Sequence, residues 1–410
     1  MTRKRRRNKW TALTAALFLA GCAGPEKPPP PATPAAPVDF DALAKRVVHS
    51  SANVKPGHVV VVYGGRHTLP LMEALAIQAQ LAGAMVEMRL TTDRVLRSLF
   101  ADVPDNFLEQ KPTYFVQTLK YITTWINVSP IESPQAVFSG VPQERLAKAD
   151  KADAYIREAL NASGVRLISI GYPTKERAQM LRVDFNTFER MHWDAVGADY
   201  ADIAQKGRRL KSILQGAKTV RVTSPSGTDF TFSTGNRPVF VEDGILTEEK
   251  AKSKLFLERI ASLPGGQVSM APLETSANGT VVVPRDLCRF QPITGVSFEF
   301  KNGKVENFKA AEGGQCYQQT LAPYSGPKDV FGSISIGLNP ALKVVDDPGE
   351  YRPAKAAGMV WIYTGENLLL GGNHKTPGGF GFPIVQATVT VDGKTVVKDG
   401  RLTLDGLPSR

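Results

Sequence analysis

The sequence predicts an α/β protein in two parts: a doubly wound parallel-sheet domain over residues 39–212 and a β-rich α+β domain over residues 213–410. Three observations predict it. A strand–helix–strand unit lies near residue 60. After Gly216 the chain breaks into short strands and turns. Asn302-Gly303 and Asp392-Gly393, both in the second half, are strong hairpin markers.

The chain begins with "MTRKRRRNKW", which carries Arg3, Lys4, Arg5, Arg6, Arg7 and Lys9, followed by the apolar run "TALTAALFLAG" and Cys22. A basic region, an apolar region and a small-residue cleavage site form an export signal. The apolar run falls short of the roughly 20 residues that span a bilayer. Leu19-Ala20-Gly21-Cys22 resembles a bacterial lipobox, which implies cleavage after residue 21 and a diacylglycerol on the Cys22 thiol. The alternative is an ordinary secretory signal with a chance cysteine. Lipidation makes a protein membrane-anchored rather than membrane-spanning. Ala23, where an aspartate would direct retention, points to the outer membrane facing the periplasm of a bacterial envelope. Residues 22–38 are proline-rich, prefer extended geometry and read as a tether.

Next, "HVVVVYG" is a continuous β-branched run, hence a buried strand. "LPLMEALAIQAQLAGA" has helical apolar spacing, with proline early and glycine late. "MVEMRL" is the following strand, so the unit implies a parallel sheet with helices on its faces. Gly64-Gly65 between strand and helix lacks a G-x-G-x-x-G or P-loop lysine and reads as a plain turn. "GVRLISIGYP" is another buried strand, ended by Pro173. "TVRVTSPSGTDFTFS", "VSFEFKNGKVENFKA" and "ATVTVDGKTVVKDGRL" supply the strands of the second domain.

The net charge of +11 falls to +5 once the six positive charges of the signal are removed. No basic stripe interleaved with aromatics follows, so nucleic-acid binding is not expected. Beyond Cys22 only Cys288 and Cys316 remain. In an oxidising envelope they either pair or stay as free buried thiols.

The sequence has no G-x-S-x-G elbow, no H-E-x-x-H and no C-x-x-C pair. Of the five histidines, only His374 lies in the second domain. His58 and His67 flank the first strand as strand-end residues.

Several ordered fragments resemble the aminopeptidase T family of metallopeptidases. They are "VKPGHVVVVYGG", "EALAIQAQLAGAMVEMRL" and "PIESPQAVFSGVPQERLAKADKA" in the first domain. In the second they are "GAKTVRVTSPSGTDFTFS", "GGQVSMAPLETSANGTVVV", "SISIGLNP" and "GMVWIYTGENLLLGGN". The resemblance implies the family fold, a homodimer, and a two-metal site on loops of the second domain that cleaves N-terminal residues from peptides. Carried over residue by residue, the ligands are missing. Gln267 stands for a glutamate, Ser333 for a second glutamate and Trp361 for a histidine. Gly379 and Gly381 stand for a His-x-Asp pair. A shifted alignment places His374 on that histidine and Thr376 on that aspartate.

Two divalent ions need anionic oxygens and imidazoles. An amide, a hydroxyl, an indole and two glycines do not supply them. The resemblance therefore implies an emptied cleft, without a metal cofactor, that binds a peptide or small molecule. In "GGNHKTPGGFGFP" and its surroundings, Trp361, Phe380 and Phe382 either line that cleft or fill core volume. The alternative is an active aminopeptidase holding zinc or cobalt through relocated ligands among Glu274, Asp346, Asp347, Glu350, Glu366 and His374.

Overall fold

Strands are numbered in chain order. The first is the continuous apolar run read above: β1 (Val59–Gly65) buries Val60, Val61 and Val62 completely. It pairs in parallel with β2 (Met85–Thr91) and β3 (Thr124–Val128). β4 (Arg166–Ile170) and β8 (Ile260–Leu263) complete a five-stranded, all-parallel sheet in the order β2–β1–β3–β4–β8. Apolar clusters fill both of its faces. Helix Leu69–Leu81 buries Leu71, Met72 and Leu75 on one side, and Leu119, Trp125 and Val165 pack on the other. This computed structural model describes residues 38–289, 291–345, 350–376 and 378–404. The signal, Cys22 and all of the tether except residue 38 lie outside the described residues. Among the described residues, no helix is long and apolar enough to cross a membrane.

The second sheet is antiparallel: β5 (Thr219–Thr223), β6 (Asp229–Ser233), β10 (Asn278–Cys288), β11 (Gln291–Lys301), β12 (Lys304–Lys309), β16 (Thr388–Val391), β17 (Lys394–Lys398) and β18 (Arg401–Leu402). Its order is β12–β11–β10–β6–β5–β16–β17–β18. Both hairpin markers do what the sequence predicts. Asn302 and Gly303 turn β11 into β12 with φ of 50° and 80°, and Asp392 and Gly393 turn β16 into β17 with φ of 46° and 82°. Two consecutive positive φ values match the right-handed twist of the flanking strands.

The third sheet, also antiparallel, holds β7 (Val239–Glu242), β9 (Gln267–Met270), β13 (Phe331–Gly337), β14 (Val360–Thr364) and β15 (Gly381–Ile384), in the order β15–β14–β13–β9–β7. Its apolar face, with Val268, Ile334, Ile336, Ile362 and Phe382, packs on Phe230, Phe232 and Phe298 of the second sheet. Cys288 at the end of β10 is bonded to Cys316 in helix Gly314–Leu321, with their Cα atoms 6.1 Å apart.

The expected α/β class is observed, with the parallel sheet first and the β-rich part after it. The described residues belong to one compact unit. One crossing escapes the sequence: β8 comes from beyond residue 213 yet completes the parallel sheet.

Candidate ligand-binding cleft

Side chains alternate along a strand, so the third sheet turns a second, mixed face away from the core. Strand register sets what lies on it. Glu242, Gln267 and Gly337 form one rung. Phe240, Ser269, Ser335, Trp361 and Pro383 form the next, and Ser333, Tyr363 and Gly381 the third. Four of the five expected ligand positions therefore share one face. Gly379 lies off the strands, packed so closely on the Thr364 carbonyl that no Cβ would fit.

These positions do not surround a single hollow. Gln267 and Ser333 line a cavity of about 570 Å³. Trp361 lines a second cavity of about 630 Å³. At the second cavity the Trp361 ring stacks on that of Tyr363, 5.8 Å apart with planes 19° from parallel. Gly381 permits this, because a Cβ there would meet the Tyr363 ring at 2.9 Å and the Trp361 ring at 3.1 Å. The aromatic wall is thinner than the sequence suggests. Trp361 faces the second cavity and donates its indole N–H to the Arg352 carbonyl at 3.2 Å. Phe380 and Phe382 instead pack with Tyr317 around the core, which resolves their two readings in favour of filled volume.

The larger cavity lies where ligands sit in open α/β sheets, at the carboxyl ends of parallel strands. Ser129 follows β3, Gly171 follows β4 and Pro264 follows β8, and all three line it. The opposite wall carries Asp286, Glu350, Tyr351 and Arg352. Burial raises the Asp286 carboxyl to about 6, even with the Arg352 guanidinium working against it. His192 is buried, and this lowers its imidazole to about 4 despite the Gly171 carbonyl 2.8 Å from Nε2. Burial likewise raises the Tyr351 hydroxyl to about 12. Arg177 and Arg289 add positive charge to the lining.

Two of the carboxylates offered as relocated ligands, Glu274 and Glu350, are already engaged. Glu350, fully buried, meets Arg285 at 2.5 Å and Arg182 at 3.7 Å. Glu274 pairs with Arg237 at 2.9 Å and accepts from the Asn373 backbone N–H at 2.7 Å and Asn367 Nδ2 at 3.2 Å. Burial works to raise its pKa, but these bonds prevail and hold it below the usual carboxylate range. Glu274 thus pins the "GGNHKT" loop. His374 is held in that loop by its backbone N–H, which donates to Asn367 Oδ1 at 2.8 Å, while Nδ1 lies 3.3 Å from the Gly365 carbonyl. Glu366 is exposed on the rim of the smaller cavity. Asp346 and Asp347 lie outside the described residues. Near Gln267, Glu242 is paired with Lys355 at 2.6 Å. Sequence reasoning missed Glu242, Asp286 and Arg352, because burial of a charge is a property of the packed fold.

Residues 38–340 match the family described as thermophilic metalloprotease (M29). The chain belongs to that family. It is also similar to 2,5-dihydroxypyridine 5,6-dioxygenase of Pseudomonas putida KT2440, with 27% identity over 207 residues, 46% of this chain and 55% of that one. The M29 fold is seen again in two solved structures. Wild-type AmpT from Thermus thermophilus superposes with a TM-score of 0.66 at 16% identity, covering 89% of this chain and 98% of that one. The 2,5-dihydroxypyridine dioxygenase structure from P. putida KT2440 gives 0.60 at 18% identity, covering 90% and 98%.

The family name implies a metal, and the residues at the expected positions do not fit one. Gln267, Ser333 and Trp361 offer neutral or non-coordinating atoms, and Gly379 and Gly381 offer no side chain. Among the described residues, no group of three or more His, Cys, Asp and Glu side chains is gathered to hold an ion.

Proposed function

We propose that this M29 member is a non-catalytic, aminopeptidase T-like lipoprotein of the bacterial envelope, anchored through Cys22, with a binding or scaffolding role. Its site is the interlobe cavity beneath Trp361, and its ligand a peptide or small molecule carrying negative charge. One observation carries the reading: Glu242, beside Gln267 in the third sheet, and the buried Glu274 and Glu350 are each held by a cation of the protein itself. A carboxylate already neutralised in this way is a poor ligand for a second cation. Arg177, Arg289 and Arg352 around the cavity favour an anionic guest. The fold itself does not choose the chemistry, since one relative is named a dioxygenase.

The test uses the full chain, extracted from bacterial membranes in detergent. Elemental analysis is expected to find no stoichiometric metal, and aminoacyl amides are expected to remain uncleaved. Stoichiometric zinc or cobalt with hydrolysis abolished by His374→Ala would establish the relocated-ligand aminopeptidase instead. Radiolabelled palmitate should enter the wild type and not Cys22→Ser, and equal labelling of both rules out the anchor.

A further inference from the structure

The strand order β2–β1–β3–β4–β8 reverses between β1 and β3: from β1 the chain steps outward to β2, then returns to the other side of β1. Open α/β sheets take ligands at such a crevice. A further cavity, of about 480 Å³, lies against these strands and shares no lining residue with the two described above. Register builds its floor. Tyr63 of β1 is flanked by Arg89 of β2 and Asn127 of β3 in one rung. Two residues back, and so on the same face, Trp125 and Leu167 form the next. Phe115 from helix Thr113–Thr118 and Ile156 from helix Gln143–Ala162 wall the cavity. The Trp125 ring meets that of Tyr63 at 5.8 Å and that of Phe115 at 5.2 Å, inclined by 56° and 70°. Rings set at such angles offer both edges and faces to a further ring.

Asn127 supplies the recognition group. The residue is half-buried in the cavity wall, and its Oδ1 is buried without a hydrogen-bond partner among the described residues. An unpaired buried acceptor is costly, and the N–H of a guest would relieve it. The terminal torsion of an amide side chain is soft, so the oxygen can turn toward that guest. The amide carries its NH2 beside the oxygen, so it pairs best with an edge that sets an N–H next to an acceptor. Charge selects against ions. Among the described lining residues Arg89 and Asp153 are charged, with opposite signs. Arg89 is also matched by Glu87 at 2.6 Å, its guanidinium lying over the Trp125 ring at 5.2 Å. We propose that this crevice binds an uncharged, planar heteroaromatic molecule. Its ring lies among Tyr63, Phe115 and Trp125, its N–H donates to Asn127 Oδ1, and a neighbouring ring acceptor takes a hydrogen of Asn127 Nδ2. The site is separate from the interlobe cavity and does not depend on what binds there.

Equilibrium dialysis of 7-azaindole against the detergent-solubilised full chain tests this, because that ring system sets an N–H beside an acceptor nitrogen. Micelles without protein give the background, and above it the wild type should bind a single equivalent. Methylating the probe at its N–H removes the donor and should weaken binding by about tenfold. Asn127→Leu keeps the size of the side chain and removes the amide, so it should bind the two probes alike, within about twofold. Ile156→Trp fills the cavity and should lose both. The probe comparison needs only the wild type, so it decides even where a variant does not fold. Absence of binding above background, or a wild type that takes the methylated probe equally well, would overturn the proposal. So would a folded Asn127→Leu chain that still prefers the unmethylated ring, or a folded Ile156→Trp chain that binds as the wild type does.

Discussion

Asp286 and His192 line the same interlobe cavity and are displaced by burial in opposite senses. The fold favours neutral His192, so its contribution is complete above pH 6.5 and is lost as pH falls through about 4. The fold also favours protonated Asp286, so that contribution is complete below the usual carboxylate range and is lost as pH rises through about 6. Between pH 4 and 6 these two contributions oppose each other. His192→Gln should gain on the wild type as pH falls from 6.5 to 4, and Asp286→Asn should gain as pH rises over the same span, each by about 3 kcal/mol. Urea denaturation across that range checks both. Parallel rather than opposite tilts would show that these two groups do not set the acid response. Neither residue stands out in the sequence. An isolated aspartate on a strand and a histidine on a helix acquire their protonation only from the walls that close over them.

Elements with strong periodicity or turn chemistry are legible before folding. The run "HVVVVYG" becomes β1, "LPLMEALAIQAQL" becomes helix Leu69–Leu81, and both Asx-Gly pairs turn hairpins. β8 is not legible, because "IASL" is too short to declare which sheet it joins. The cleft was legible in part. Register puts Gln267, Ser333, Trp361 and Gly381 on one face, but the stacking of Trp361 on Tyr363 depends on the packing around Gly381. The β11–β12 turn shows how an element can support that loop system from a distance. Gly303 has φ of +80°, and a Cβ there would collide with the Glu274 carbonyl. Gly303→Ala should therefore cost about 2 kcal/mol or more and also disturb the Glu274 bonds to Arg237 and Asn373. The check is thermal denaturation together with hydrogen exchange at the Asn373 amide. Loss of stability with Asn373 protection intact would separate the turn from the loop.

The two lobes are interlaced through the chain itself. β7 and β9 belong to the third sheet, and β8 between them belongs to the parallel sheet, with only Pro264, Gly265 and Gly266 separating β8 from β9. Unfolding either lobe alone would pull a strand from the other. Asn339 reinforces the joint: wholly buried, it donates from Nδ2 to the Ala195 carbonyl at 3.0 Å and the Gly265 carbonyl at 2.9 Å. Tyr200 closes the same triangle, donating to the Ala195 carbonyl at 2.9 Å and accepting from the Gly265 N–H at 3.0 Å. Asn339→Ala leaves buried carbonyls without one donor and should cost roughly 2–4 kcal/mol. Because the strands remain interlaced, calorimetry should show one transition displaced to lower temperature, with calorimetric and van't Hoff enthalpies still in agreement. If the variant melted in two steps, Asn339 rather than strand exchange would be what makes the lobes one folding unit.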